Sequence, residues 1–449
     1  MAVETKKHYP GGTVNVRALL LLSIFALPSA AALAAADGDQ YGYPDLDAFA
    51  ATVIQTPDEL RPNLKVKGHP YKLYNLRVFP DRPKSKYMWY ANKLPYLVFP
   101  QKGPAPLIFL IAGTGSSYHG PHMTTLYTAF YKAGFHVVGL PSPTSLPFMV
   151  AASSSGVPGL LDEDTKDLYR VMKMAWEQQL SKKLEVTDFY VTGYSLGGAQ
   201  TAYIVKLDEQ EKVFNFKKGL MINPPVNLYT SANLLDGYLR DNITTGTEAS
   251  MFWNELTKVM GEEYAETKGV PNLGPDFLYE VYRKRRPKDQ NLEILIGLVF
   301  AITAQNMVTV GDVLTQSGYI VPVGTTAKIT ADVTDYYIVS ARTPFRLYFK
   351  DLLVPYYQRA NPDITEDDLI QRASLYNIEE WLHNTDKVGA MHNADDIIMS
   401  PGQIDWLVET MGDRAKIWPR GGHCGNMAYK ENVDYMLAFF GASLPEDGK

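Results

Sequence analysis

The chain has 449 residues, a formal net charge of −6, 46% apolar residues and 20% charged residues. These proportions exclude a disordered chain, a fibre and a coiled coil, and the acidic balance leaves no global basic surface to hold nucleic acid. The single cysteine, Cys424, excludes a disulfide framework and a thiolate-rich zinc or iron–sulfur site.

Residues 1–17 carry Lys6, Lys7 and Arg17, residues 18–36 are uncharged and alanine- and leucine-rich, and Asp37 follows. A basic start, an apolar middle and small residues before a polar break predict a secretory signal, with cleavage after Ala34 or Ala36. An uncleaved membrane anchor is the alternative, since the apolar stretch could just span a bilayer; Pro28 and the alanine-rich tail favour cleavage. Export without disulfides points to a bacterial periplasm or the medium. No later stretch reads as long and apolar enough for a second span: residues 292–303 come closest but are short and carry Glu293.

Residues 37–70 read as polar loop. Residues 71–80 and 94–100 are short runs of aromatic and β-branched residues, which predict antiparallel edge strands. An alternation follows: strands over 106–112, 135–140, 188–192 and 219–223, with helices over 124–133, 160–179 and 198–207 between them. Strands apolar on both sides and alternating with helices imply a parallel sheet covered on both faces. Residues 226–386 are mainly helical in pattern, with a strand predicted at 336–340 and a capping box at 365–368. The α/β rhythm then returns: strand 388–393, helix 403–411, strand 415–418, helix 427–440. The predicted organisation is a signal over 1–36, an α/β core over 37–228 and 387–449, and a helical cap inserted over 229–386.

The run Gly193-Tyr194-Ser195-Leu196-Gly197-Gly198 follows a predicted strand and opens a predicted helix, the context of a G-x-S-x-G nucleophile elbow. In so tight a turn the positions two before and two after the serine face each other and the neighbouring backbone, and glycine at 193 and 197 removes the clashing Cβ atoms. The turn would lift Ser195 Oγ clear of the sheet and aim the Leu196 amide at an oxyanion. A tight glycine turn of any α/β protein is the competing reading, and three further matches weigh against it. Gly113-Thr114-Gly115 follows the first core strand, where an elbow enzyme takes its second oxyanion donor; the backbone N–H of Thr114 or Gly115 would serve, with Thr114 preferred. A dinucleotide loop fails there because position 118 is Tyr, and His119 with His122 lacks a third metal ligand. His423, in Arg420-Gly421-Gly422-His423, lies on a glycine-flanked loop after the last strand, placed to act as a general base. Asp395 and Asp396 follow the preceding strand, where a carboxylate could hold the imidazole tautomer; Asp396 is preferred, leaving Asp395 to cap the loop or the next helix. Neighbouring loop side chains point different ways, so Cys424 reads as a packed thiol rather than a partner of His423. Asn242-Ile243-Thr244 is a glycosylation sequon, relevant only on a eukaryotic secretory route.

On these motifs, in the order Ser195, Asp395 or Asp396, His423, the chain resembles the α/β-hydrolase superfamily over about residues 71–228 and 387–445. The resemblance implies a mostly parallel sheet of about eight strands with helices on both faces, a cap over the site, serine hydrolase activity and no cofactor. The inserted cap is longer than the family's usual pattern. Its apolar character favours a carboxylic ester, small-molecule or lipid, with peripheral membrane contact through the cap; peptidase, amidase or thioesterase activity and a non-catalytic binding scaffold are the alternatives. His423 must be neutral to act as a base, so activity would fall below about pH 6 to 7.

Overall fold

The computed structural model describes residues 40–68, 70–83, 86–243, 292–325 and 332–445. The predicted signal, Thr244 of the sequon and the cap residues 244–291 lie outside the described residues. Eight strands are described: β1 Lys72–Leu76, β2 Leu94–Phe99, β3 Ala105–Ile111, β4 His136–Leu140, β5 Val186–Tyr194, β6 Lys218–Ile222, β7 Val388–Asn393 and β8 Ala415–Trp418. They form one sheet in the order β1-β2-β4-β3-β5-β6-β7-β8. The β1–β2 and β2–β4 pairs are antiparallel, and every other pair is parallel.

The continuous apolar run of β3 has a direct cause. Leu107, Phe109 and Ile111 point into one core layer and Ile108 and Leu110 into the other, so both faces must be apolar. The first layer holds Leu168 and Val171 of the helix Leu161–Ala175 and Ala199 and Ile204 of Leu196–Glu211. The second holds Leu126 and Phe130 of Pro121–Lys132 and Val433 and Leu437 of Lys430–Phe439.

Three sequence expectations are corrected. The stretch 37–70 is not all loop: it contains a helix, α1 (Ala48–Ile54), whose N-terminus is capped by Asp47, the carboxylate accepting from the N–H groups of Phe49 and Ala50 at 3.0 Å. Between β6 and β7 the described elements are helices, among them α2 (Leu228–Arg240), α3 (Leu292–Thr315) and α4 (Thr334–Ala341). The strand predicted at 336–340 is therefore α4. Short apolar runs do not separate strand from helix by pattern alone; here Asp332 accepts from Thr334 N–H at 2.9 Å to start a helix, and the element lies against α3 rather than beside a strand. The third correction concerns α3. It runs to Thr315, 24 residues, and is long and apolar enough by length and composition to cross a membrane, whereas the sequence reading ended the stretch at 303. Gln305 and Asn306 mask the continuation, which resumes with Met307, Val308 and Val310. About two thirds of its apolar window is buried inside the protein, and it packs on α1, α2 and α4.

Candidate active site

β5 ends at Tyr194 and the helix Leu196–Glu211 begins one residue after Ser195, which is held at φ 54°, ψ −126°. A non-glycine residue there is strained, and strain of this kind persists only where the surroundings over-determine it. The surroundings are visible: Ser195 N–H donates to the Ile222 carbonyl at 2.8 Å. A Cβ at Gly193 would collide with the Gly197 carbonyl, and one at Gly197 with the Ile111 carbonyl. Only glycine lets β3, β5 and the helix close around the serine.

His423 Nε2 lies 2.9 Å from Ser195 Oγ, and His423 Nδ1 lies 3.0 and 3.1 Å from the two oxygens of Asp396. Asp396 is buried and also accepts from Asn223 Nδ2 at 3.0 Å and Ile398 N–H at 3.1 Å. Its neighbour has a different task. The Asp395 carboxylate accepts the N–H groups of Gly421 and Gly422 at 3.1 and 2.9 Å, tying down the loop that carries His423. Of the two predicted carboxylates, Asp396 meets the imidazole and Asp395 meets the backbone next to it.

Several residues of this constellation carry no sequence signature. Thr52 of α1 accepts His423 N–H at 2.8 Å, and Thr56 donates to the Gly425 carbonyl at 2.9 Å, so the N-terminal arm braces the histidine loop. A Cβ on Gly422 or Gly425 would strike the carbonyls of Ala48 or Ala51, which explains the glycines around His423. His392 is buried behind Asp396, its Nδ1 accepting from Asn393 N–H at 3.0 Å and its Nε2 facing the Pro224 carbonyl at 3.0 Å. Burial pulls its pKa below the usual imidazole value, outweighing the attraction of Asp396.

The loop after β3 lies against the elbow: a Cβ on Gly113 would approach the Tyr194 ring and the Ser195 Cβ. Gly115 is removed as an oxyanion donor, because its N–H already donates to Thr144 Oγ1 at 2.8 Å. That bond anchors the loop and leaves Thr114. Neither the Thr114 nor the Leu196 N–H has an acceptor among the described residues. Thr303 of α3 packs on Gly115, so α3 rests directly on this loop.

Cys424 departs from expectation. It was expected to point away from the imidazole, yet its Sγ lies 3.9 Å from His423 Nε2. The cause is a left-handed backbone, φ 61°, which turns the side chain back towards the same cavity. Burial alone would pull the His423 pKa down; the Asp396 carboxylate, with Cys424 adding to it, outweighs burial and holds the imidazole well above its ordinary value. Conversely, burial would raise the Asp396 pKa, and the facing imidazole outweighs it, leaving the carboxyl below the usual range. Asp395, burial dominating over its two amide donors, is raised.

His119 Nδ1 lies 2.7 Å from Ser117 Oγ, and His122 Nε2 lies 3.2 Å from Gln55 Nε2 with its ring 5.0 Å from that of Tyr194. Among the described residues no group of three or more His, Cys, Asp or Glu side chains could hold a metal ion. Above Ser195 and His423 opens a cavity of about 120 Å³, walled mainly by α2, α3 and Ile397 and Ile398.

No protein-family profile matches the chain, and no curated protein matches it. Among solved structures it is similar to an acylaminoacyl peptidase in complex with Z-Gly-Gly-Phe-chloromethyl ketone (13% identity, TM-score 0.40), over 85% of this chain and 44% of that one, so it spans less than half of that protein. It is also similar to a thermostable esterase from Pseudomonas putida (12%, TM-score 0.37, 91% of each chain) and to a fungal esterase from Rhizomucor miehei (11%, TM-score 0.39, 91% of this chain and 94% of that one). Likeness at this level says nothing of substrate.

Proposed function

We propose that this chain, an α/β-hydrolase by fold, is an exported serine hydrolase that cleaves carboxylic esters through Ser195, His423 and Asp396. The supporting observation is the single imidazole that faces Ser195 Oγ with one nitrogen and the Asp396 carboxylate with the other, on a strained elbow built around glycine.

His423 Nε2 takes the Ser195 proton as Oγ attacks the ester carbonyl. The oxyanion of the tetrahedral intermediate is met by the N–H groups of Leu196 and Thr114. The carbon–oxygen bond to the alcohol then breaks, and the same imidazole gives its proton to the departing oxygen. Water repeats the sequence to free the acid and restore Ser195. Losing one oxyanion donor in such a site typically lowers turnover about 10²- to 10³-fold. Asp396 holds the tautomer that leaves Nε2 free to accept and stabilises the imidazolium. Ester rather than peptide cleavage is supported by the cavity wall: its described lining holds no Asp, Glu, Lys or Arg, and its ionisable side chains are His122, Tyr194, His423 and Cys424, so no carboxylate there could pair with the charged amine of a peptide. The basic and apolar start of the chain, residues 1–36, supports export.

The test is a fluorophosphonate probe on the intact protein, followed by matched nitrophenyl esters and nitroanilides. Labelling with esters turned over faster is the expected result; no labelling would overturn the serine hydrolase reading, and faster anilides would overturn the ester.

The pH dependence carries a sign. His423 is inactive as a base while protonated, and Asp396 keeps the proton on beyond the ordinary imidazole pKa of about 6.5. The acid limb of kcat/KM is therefore expected above that value. This moves the limb up from the position expected of an unperturbed histidine. An acid limb at or below the ordinary imidazole value would show that burial, not Asp396, governs the ring.

A further inference from the structure

The cavity over Ser195 is bounded by two cap helices that each present one stripe. On α2 the stripe contains Leu228, Ala232 and Leu235; on α3 it contains Ile296, Val299 and Phe300. Both follow the i, i+3, i+4, i+7 rows of a single helix face, completed by Ser231 on α2 and Thr303 on α3. The two hydroxyl residues do not make the slot polar. Ser231 Oγ donates to the Ile398 carbonyl at 2.7 Å, and Thr303 is packed on Gly115. What remains between the two helices is an apolar slot with Ser195 in its lining.

Resting on the serine hydrolase reading, we infer that this slot is the acyl subsite, and that it restricts the enzyme to esters of short, uncharged acyl groups, of at most about six carbons. Two arguments carry this. The first is volume. The space is about 120 Å³, and an apolar cavity of about 150 Å³ accommodates benzene, six carbons. The second is the order of events. The alcohol must leave and water must enter before deacylation, while the acyl group stays on Ser195 throughout. A slot walled by buried side chains (Ala232, Ile296, Val299 and Phe300 are each 8% exposed or less) suits the part that stays. Phe300 has the largest side chain among the six stripe residues and Ala232 on the facing helix the smallest, so this pair sets how much chain fits.

The experiment is kcat/KM of the full chain on nitrophenyl esters from acetyl to dodecanoyl, beside a second series in which the acyl group is butyryl and the alcohol is lengthened. Expected is a maximum at or below the hexanoyl ester, a fall of about 10-fold or more by the decanoyl ester, and little dependence on the alcohol. Phe300→Ala and Leu235→Ala should each move the maximum to longer chains, and Ala232→Phe to acetyl. A wild-type maximum at decanoyl or longer, or a profile set by the alcohol, overturns the inference, as does an unmoved maximum in both enlarging variants. Fluorophosphonate labelling of the wild type keeps the two ideas apart: absent labelling removes the hydrolase reading itself, while labelling with a long-chain maximum removes only the slot.

Discussion

Ser195→Ala is expected to lower ester turnover by about 10⁴- to 10⁶-fold and to abolish fluorophosphonate labelling, with little change in thermal stability. The size of the loss follows from what the hydroxyl does. On the proposed mechanism it is the atom that forms the covalent bond, and nothing else on the elbow would replace it, since the amides of Leu196 and Thr114 would stabilise charge but not attack. The small stability effect follows from the backbone. Ser195 N–H keeps its bond to the Ile222 carbonyl, and alanine bears the same positive φ as serine. Among the described residues, the hydroxyl's contact with His423 Nε2 is the only side-chain bond lost. Because the two residues act as one device, Ser195→Ala combined with His423→Ala should cost no more than either alone. Turnover and labelling are measured on the same preparations, with melting followed by circular dichroism. Residual turnover above about 1% of wild type, or labelling that moves to the thiol of Cys424, would assign the nucleophile elsewhere.

The elbow was legible in the sequence because its constraint is local and steric: Gly193 and Gly197 stand two residues either side of Ser195 between a strand and a helix, where a Cβ would strike backbone carbonyls. The central strands were legible because burial on two faces leaves an unbroken apolar run, as in Leu107 to Ile111 of β3. What stayed hidden depends on partners remote in sequence. Gly115 and Thr114 are adjacent amides, and only Thr144, 29 residues on, separates the engaged one from the free one. Thr52 braces His423 across 371 residues, from the short helix α1, which is announced by little more than Asp47. Tyr336 to Val339 carry strand-forming side chains, and contact with α3 overrides that preference. Cys424 reads as an ordinary packed thiol until its backbone is seen in the left-handed region.

Asp396→Asn is expected to lower kcat about 10⁴-fold, and Asp395→Asn far less, about 10-fold through a loosened loop. The contrast follows from what each carboxylate touches. An amide at 396 offers an N–H where His423 Nδ1–H now donates, and the ring can satisfy it only by moving its proton to Nε2, the nitrogen that must accept from Ser195. Asn223 Nδ2 and Ile398 N–H, which donate to the Asp396 oxygens, further restrict how the new amide can turn. An amide at 395 retains one oxygen for Gly421 or Gly422 and loses the second bond, a stability cost of about 1 to 3 kcal/mol with the imidazole's own partners intact. The pH profile distinguishes the two roles. Without the Asp396 charge, burial acts on His423 unopposed by its strongest partner, so the ring gives up its proton more easily and the residual activity's acid limb moves to lower pH. Asp395→Asn leaves that charge in place and should leave the limb close to the wild-type position. Equal losses in the two variants, or an acid limb that moves only with Asp395, would reverse the assignment of the two carboxylates.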